Sequence, residues 1–177
     1  MTNHSPGLSR RRARESRIGG ARIAPTIRPL AGADLFAWID LYAAFLEEMG
    51  MPYRDDAALR TWRELGLADD AEPLPGVEAI VAERSGNLVG YAVSQPSMST
   101  LDGRRRLDVP ALYVERLDHD GQALEALLEA LHRRAAEVGA DRLRWEIPEA
   151  AHEARHRCER LGARTDDCAY EMPVQRP

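Results

Sequence analysis

The chain has 177 residues, of which 44% are apolar and 30% are charged, and this balance predicts one soluble domain with a substantial hydrophobic core. No run approaches the roughly 18–20 consecutive apolar residues of a membrane span, and the N-terminus lacks the apolar centre of a secretory signal. The two cysteines, Cys158 and Cys168, are too few for a disulfide framework. We therefore expect a cytoplasmic protein with reduced thiols and no membrane partner.

The charges are unevenly distributed along the chain. All 24 basic residues are arginines; residues 1–25 carry a net charge of +5, and the remainder carries −10. The first 25 residues contain few apolar side chains, so we expect a disordered Arg-rich tail before a single domain over residues 26–177. Clustered arginines can bind phosphates, but the acidic body argues against a nucleic-acid partner.

The hydrophobic periodicity predicts strands and helices in alternation after the tail. Strands are predicted at Thr26–Leu30, Val77–Glu83, Leu88–Ser94, Ala111–Arg116, Leu143–Ile147 and Ala169–Val174. Helices are predicted from Asp34 to Gly50, from about Asp56 to Gly66, from Gly121 to Gly139 and from Glu149 to Gly162. This order predicts an α/β (α+β) fold, in which helices cover a mixed sheet.

Three local signals refine this outline. Asp34 is the expected N-cap of the first helix. The tetrapeptide Arg84–Asn87 predicts a hairpin turn, because Gly and Asn accept a positive φ. The segment Gln95–Val109 contains proline, glycine and three consecutive arginines, so we expect a loop or a weak extension there.

Several strings in this order resemble the GNAT superfamily of N-acetyltransferases over Thr26–Val174. They are Ile27–Leu30 (IRPL), Glu83–Tyr91 (ERSGNLVGY), Leu112–Val114 (LYV), Gly121–Ala123 (GQA) and Glu159–Ala163 (ERLGA). The resemblance implies a mostly antiparallel central sheet flanked by helices, with acetyl-CoA as cosubstrate. It also implies direct transfer of the acetyl group to an amine of a small molecule or peptide, and homodimers through the last strand.

The resemblance also assigns a cofactor site. Leu112, Tyr113 and Val114 would hold the pantetheine. Gly121, Gln122 and Ala123 would hold the pyrophosphate, since a helix N-terminus presents unpaired N–H groups and a positive dipole end. The sequence departs from the family at Asp118, where the family has Arg or Gln, and Asp120 adds a second carboxylate that would repel the phosphates.

Two further residues are assigned catalytic roles by the resemblance. Cys158 occupies the position of the family tyrosine that protonates the departing CoA thiolate, and a small semi-buried residue is the alternative interpretation. Glu115 is the nearest match to the general base, with Glu146 second, and either is equally explained as a solvated charge at a strand end. The acidic residues of the first two helices, such as Glu47, Glu48, Asp55 and Asp56, would suit a cationic amine, although exposed helix charge explains them as well.

Two other functions remain open from the sequence. The first is a degenerate GNAT fold that has lost acetyl transfer and binds a protein or ligand partner, consistent with Asp118, Asp120 and Cys158. The second and more remote is a zinc hydrolase using His152, Glu153 and His156, which match the His-Glu-x-x-His pattern. The zinc reading lacks a convincing third ligand, so we expect no metal.

Overall fold

Five strands form a sheet in the order in which they occur along the chain. The computed structural model describes residues 23–69, 71–115 and 121–165. The strands are β1 (Thr26–Pro29), β2 (Glu78–Arg84), β3 (Asn87–Met98), β4 (Arg105–Val114) and β5 (Arg142–Arg144). The first four strands are antiparallel to their neighbours, and β5 is parallel to β4. The mixed, mostly antiparallel α/β (α+β) sheet predicted from the sequence is confirmed.

Helices cover both faces of this sheet. They are α1 (Leu35–Glu48), α2 (Asp55–Glu64), α3 (Gln122–Glu137) and α4 (His152–Glu159), and a 3-10 turn at Gly32–Asp34 precedes α1. On one face Trp38 and Trp62 of α1 and α2 pack with Tyr91 of β3. On the other face Leu127 and Leu131 of α3 are fully buried against the sheet. Burial of large apolar side chains on both faces supplies the main favourable free energy of folding.

The helix α4 lies on the same side of the molecule as α1. Its residue Ala154, with Ala151 just before it, packs against Met49 at the end of α1, and Ile147 and Phe45 contact the same cluster. The helix predicted from Glu149 begins three residues later, at His152. It follows a turn in which Ala151 donates its N–H to the carbonyl of Pro148.

The loop or weak extension expected over Gln95–Val109 is mostly regular strand, and only residues 99–104 form a connection. β3 continues to Met98 and β4 begins at Arg105, so that Pro96 pairs with Leu107 and Met98 with Arg105. Beyond Ser94, β3 no longer has β2 as a neighbour. A proline in that part of the strand is tolerated because β2 does not pair with it there and requires no N–H from it.

The turn between β2 and β3 is tighter than the sequence suggested. Ser85 and Gly86 both have positive φ, 54° and 80°, and Asn87 already belongs to β3, paired with Arg84. Two central residues with positive φ define a type I′ turn, whose twist matches that of the flanking strands. The expectation that Asn87 supplies the positive φ is wrong, and Ser85 takes that place.

Asp34 begins α1 as predicted but does not cap it. No side-chain hydrogen bond joins it to the first turn of α1. Its carboxylate instead accepts two hydrogen bonds from the Arg28 guanidinium, at 2.7 and 2.9 Å, and one from the Ala31 N–H at 2.9 Å. Arg28 also donates to Glu83 at 2.7 Å. Arg28 thereby connects β1 to β2 and to the start of α1.

The remaining predicted elements divide into confirmed and untested ones. Gly139, which lies just after α3, has a positive φ, as the sequence predicts for a residue that ends a helix. The last predicted strand, Ala169–Val174, and nearly all of the Arg-rich tail lie outside the described residues. Among the residues that are described, no helix is long and apolar enough to cross a membrane.

Candidate functional site

A gap opens in the sheet between β4 and β5. The two strands pair only from Arg106 to Asp108, and the last pair is Asp108 opposite Arg144. β4 continues for six more residues to Val114 beyond that pair. One edge of this stretch therefore has no strand partner among the described residues, and its backbone N–H and C=O groups can bind a ligand.

A bulge in β4 lies at the start of the gap. Val93 pairs with Ala111, and the next pair is Gln95 with Asp108, so β4 advances three residues where β3 advances two. The extra residue falls at Val109–Pro110, and a bulge bends its strand and increases the local twist. It also allows Val109 and Leu112 to face the same core cluster although they are three residues apart.

A cavity of about 40 Å³ occupies this gap. The lining from β4 and from the segment after β5 is mainly apolar and includes Val109, Leu112, Val114 and Ile147. Phe45 of α1 and Leu124 of α3 also line it. Since α1 and α3 cover opposite faces of the sheet, side chains from both faces border the cavity at the gap.

The first turn of α3 lies next to the cavity. Gly121 precedes the helix with a φ of +69°, and a Cβ at this position would meet no atom within 4 Å. Ala123 is fully buried, and Leu124 of the same turn lines the cavity. The N-terminus of a helix is the positive end of its dipole, so this turn can attract an anion. Open space and a small residue fit the pyrophosphate that the sequence resemblance implies for Gly121, Gln122 and Ala123.

The three predicted pantetheine residues do not all face the gap. The side chains of Leu112 and Val114 line the cavity. Tyr113 is buried on the opposite face, where its ring makes an edge contact with Phe45 at a centroid distance of 6.5 Å. Alternation along a strand explains this division. Tyr113 therefore does not line the cavity, unlike its two neighbours.

Cys158 lies in the cavity with Leu112 and Val114. Burial raises the pKa of its thiol above the ordinary value, although a hydrogen bond with Trp145 and the charge of Arg157 oppose the shift. The thiol is therefore protonated at neutral pH. Cys158, which the family resemblance aligns with a proton donor, therefore has a proton to donate.

The two predicted bases are placed differently. Glu115 follows β4, where its N–H donates to the Val89 carbonyl at 2.9 Å, and it does not line the cavity. Glu146 does line the cavity, but its side chain is 69% exposed and accepts a hydrogen bond from Arg144 at 3.0 Å. Asp118 and Asp120 lie outside the described residues.

The sequence names Glu48 as one of several acidic helix residues that would suit a cationic amine, but it does not predict that Glu48 is buried. Its side chain is only 6% exposed, and its Oε1 lies 2.9 Å from Nη2 of Arg157 in α4. Its Oε2 is buried without a hydrogen-bond partner in the described part of the chain, and the residue lines the cavity. The available signal was the heptad spacing from Leu41, which puts Glu48 on the buried stripe of α1. Glu47 is exposed and outside the cavity.

The described part of the structure gives no support to the zinc hypothesis. His152 is exposed, and the side chain of His156 is 76% exposed, with its Nδ1 3.9 Å from Glu159. Over residues 23–69, 71–115 and 121–165, no group of three His, Cys, Asp or Glu side chains is arranged to hold a metal ion.

Comparison with solved structures identifies the fold. No protein-family model and no curated protein matches the sequence. The ribosomal-protein-alanine N-acetyltransferase from Brucella melitensis biovar Abortus 2308 is 24% identical, with a TM-score of 0.62 over 84% of this chain and 99% of that one. AAC(6')-Iy, in complex with the bisubstrate analog CoA-S-monomethyl-acetylneamine, is 15% identical, with a TM-score of 0.65 over 86% and 99%.

A protein that is not described as an acetyltransferase has the same fold. A transcriptional regulator from Bacillus halodurans C-125 is 19% identical, with a TM-score of 0.64 over 85% of this chain and 99% of that one. The chain therefore has the fold of the GNAT acetyltransferases, and the resemblance predicted from its sequence is confirmed at the level of the fold. Its activity has to be argued from the site, because one fold carries several functions.

Proposed function

We propose that the protein is an N-acetyltransferase that uses acetyl-CoA to acetylate an amine of a small molecule or peptide. The observation that carries this proposal is the cavity between the separated strands β4 and β5, which is bordered by helices from both faces of the sheet. The unpaired edge of β4 suits the amide groups of pantetheine, and the first turn of α3 suits the pyrophosphate. The AAC(6')-Iy complex, in which a neighbour with this fold holds a CoA conjugate, supports the same cosubstrate.

In this proposal acetyl-CoA supplies an activated acetyl group, and the chain positions it for an amine. Leu112 and Val114 border the pantetheine, and Gly121, Gln122 and Ala123 hold the pyrophosphate at the start of α3. The amine nitrogen forms a bond to the acetyl carbon as the carbon–sulfur bond breaks. The nitrogen loses a proton, and the sulfur gains one.

Cys158 is the proposed donor of the proton to sulfur. It lines the cavity, and burial raises the pKa of its thiol, so a proton is held there at neutral pH. Donor and acceptor are both thiols, so the transfer exchanges one S–H bond for another. For the proton acceptor, Glu115 remains the sequence-based proposal, although its position outside the cavity requires an intervening water.

The test is acetyl transfer by the full chain. The protein is incubated with acetyl-CoA and a panel of amines that comprises phenethylamine, spermidine, neamine and a short peptide with a free N-terminus. Free CoA thiol and the acetylated product are measured together. Equal amounts of both, above the rate without protein, support the proposal. Binding of acetyl-CoA without transfer to any amine favours the partner-binding alternative.

A further inference from the structure

We propose that the carboxylate of Glu48 binds the ammonium group of the acceptor, and that the substrate is therefore a cationic amine. This inference rests on the proposed acetyltransferase function and names the substrate class of the same site. Glu48 belongs to α1, so it enters the cavity from the face opposite α3. An acceptor bound there would lie across the gap from the start of α3.

The two oxygens of Glu48 have different environments. Oε1 is paired with Nη2 of Arg157 at 2.9 Å. Oε2 is inaccessible to solvent and has no hydrogen-bond partner among the described residues. A buried carboxylate oxygen without a donor is costly, and native proteins normally satisfy such atoms. An ammonium N–H of a ligand would satisfy this one, provided that the side chains covering Oε2 move as the ligand enters.

The surroundings of Glu48 suit the rest of a small amine. The aromatic and aliphatic side chains of Phe45, Met49 and Ile147 line the same cavity. Such a site would bind a hydrocarbon body through apolar contacts and one cationic head through a charge-assisted hydrogen bond. Arg157 fixes the orientation of the carboxylate, since its side chain is only partly exposed and holds Oε1.

A purely structural ion pair between α1 and α4 is the competing interpretation. It accounts for the contact between Oε1 and Arg157 but leaves Oε2 unsatisfied. The two interpretations differ in a measurable way. If Glu48 only joins the helices, its replacement changes the stability of the protein. The affinity of the molecules that remain folded for amines then stays the same. If it binds the ammonium, its replacement selectively weakens binding of cationic amines.

The experiment uses Glu48→Gln in the full chain, with Glu47→Gln as the matched control on the same helix. Phenethylamine, spermidine and neamine, all cationic at pH 7, are titrated calorimetrically into each protein with and without CoA. Aniline, which is uncharged at that pH, is the neutral probe. Acetyl-CoA affinity is measured on the same samples, and Arg157→Lys, which retains the positive charge, tests whether the ion pair alone matters.

We expect Glu48→Gln to weaken binding of at least one cation about 10- to 100-fold, as loss of a charge-assisted hydrogen bond predicts. Its acetyl-CoA affinity and its binding of aniline should stay within about twofold of wild type. Glu47→Gln should behave as wild type, and Arg157→Lys should retain most cation affinity. Unchanged cation affinity in Glu48→Gln, or absence of cation binding by the wild type, overturns the inference. Failure to bind acetyl-CoA overturns the proposed function instead, and the cation titrations then still test Glu48.

Discussion

Asp108 and Arg144 form the last residue pair that joins β4 to β5. The β4 bulge at Val109–Pro110 begins at the next residue, and β5 ends at Arg144. The end of pairing and the bulge coincide in the chain, so β4 and β5 separate at a defined point. The proposed reaction takes place in the space that this separation creates.

Gly121 is expected to be required for cofactor binding and only modestly for stability. Replacement by Glu adds a side chain at φ +69°, which costs roughly 1–2 kcal/mol of stability, and it adds a negative charge where the pyrophosphate would lie. We expect acetyl-CoA binding to be abolished, as measured by calorimetry, while the circular dichroism spectrum stays native.

Gly86→Glu is the matched control for this prediction. Gly86 has a φ of +80° and open space at its Cβ position, but it lies in the β2–β3 turn away from the cavity. Its replacement should cost a similar amount of stability and leave acetyl-CoA affinity unchanged. Equal affinities for the two variants would remove Gly121 from the phosphate site.

Cys158→Ala should slow turnover without changing cofactor affinity. A thiol that donates a proton to the leaving sulfur contributes about 10²-fold or more to the rate. The measurement is kcat for the best amine of the panel, together with the dissociation constant of acetyl-CoA. A turnover number equal to that of the wild type would return Cys158 to a packing role.

Ser85→Asn is expected to stabilise the protein. Ser85 holds a φ of 54° in a two-residue turn, and asparagine adopts that conformation at lower cost than serine. The gain should be about 0.5–1 kcal/mol, seen as a higher urea midpoint with an unchanged m-value. Ser85→Val, with a β-branched side chain, should shift the midpoint in the opposite direction, and the same sign for both would contradict the assigned turn.

Asp34 should contribute stability that depends on pH. Hydrogen bonds from Arg28 lower the pKa of this carboxyl, whose side chain is 13% exposed, below its ordinary value. A group with a depressed folded pKa contributes fully above its unfolded pKa of about 3.9 and loses that contribution as the pH falls through the folded pKa.

Asp34→Asn should therefore lower the free energy of unfolding by about 1.5–3 kcal/mol at pH 7. The difference from wild type should narrow progressively below pH 4 in urea titrations. Asp40→Asn, at an exposed position of α1, is the control and should follow the wild-type curve. A difference that is constant from pH 7 to pH 3 would show that the Asp34 carboxylate acts by packing alone.

The sequence predicts the order of elements well because periodicity and glycine stops are local signals. It predicts the position of α3 and the type I′-compatible Ser85–Gly86 segment, but it misassigns the residue with the positive φ. It fails over Gln95–Met98, since pairing with Arg105–Asp108 is a long-range interaction that local propensity does not report. Pro96 and the neighbouring arginines suggest a loop, and tertiary pairing overrides them.

The candidate site shows the same difference between what local signals predict and what long-range packing decides. Leu112, Val114 and Cys158 meet in one cavity, as their positions in the resembled family imply. The burial of Glu48 was not visible, because a carboxylate at the end of an amphipathic helix is usually exposed and its partner Arg157 lies far along the chain. The heptad spacing from Leu41 gives the face of the helix, but only the packing of α4 shows that this face is covered.

The most direct test of the account is a calorimetric titration of the full-length protein with acetyl-CoA at moderate salt. We expect one molecule of acetyl-CoA to bind per chain with a dissociation constant in the micromolar range, and Gly121→Glu to lose that binding. Absence of heat and of any thermal stabilisation at millimolar acetyl-CoA would contradict it. In that case the gap between β4 and β5 would belong to a fold that has lost its cosubstrate.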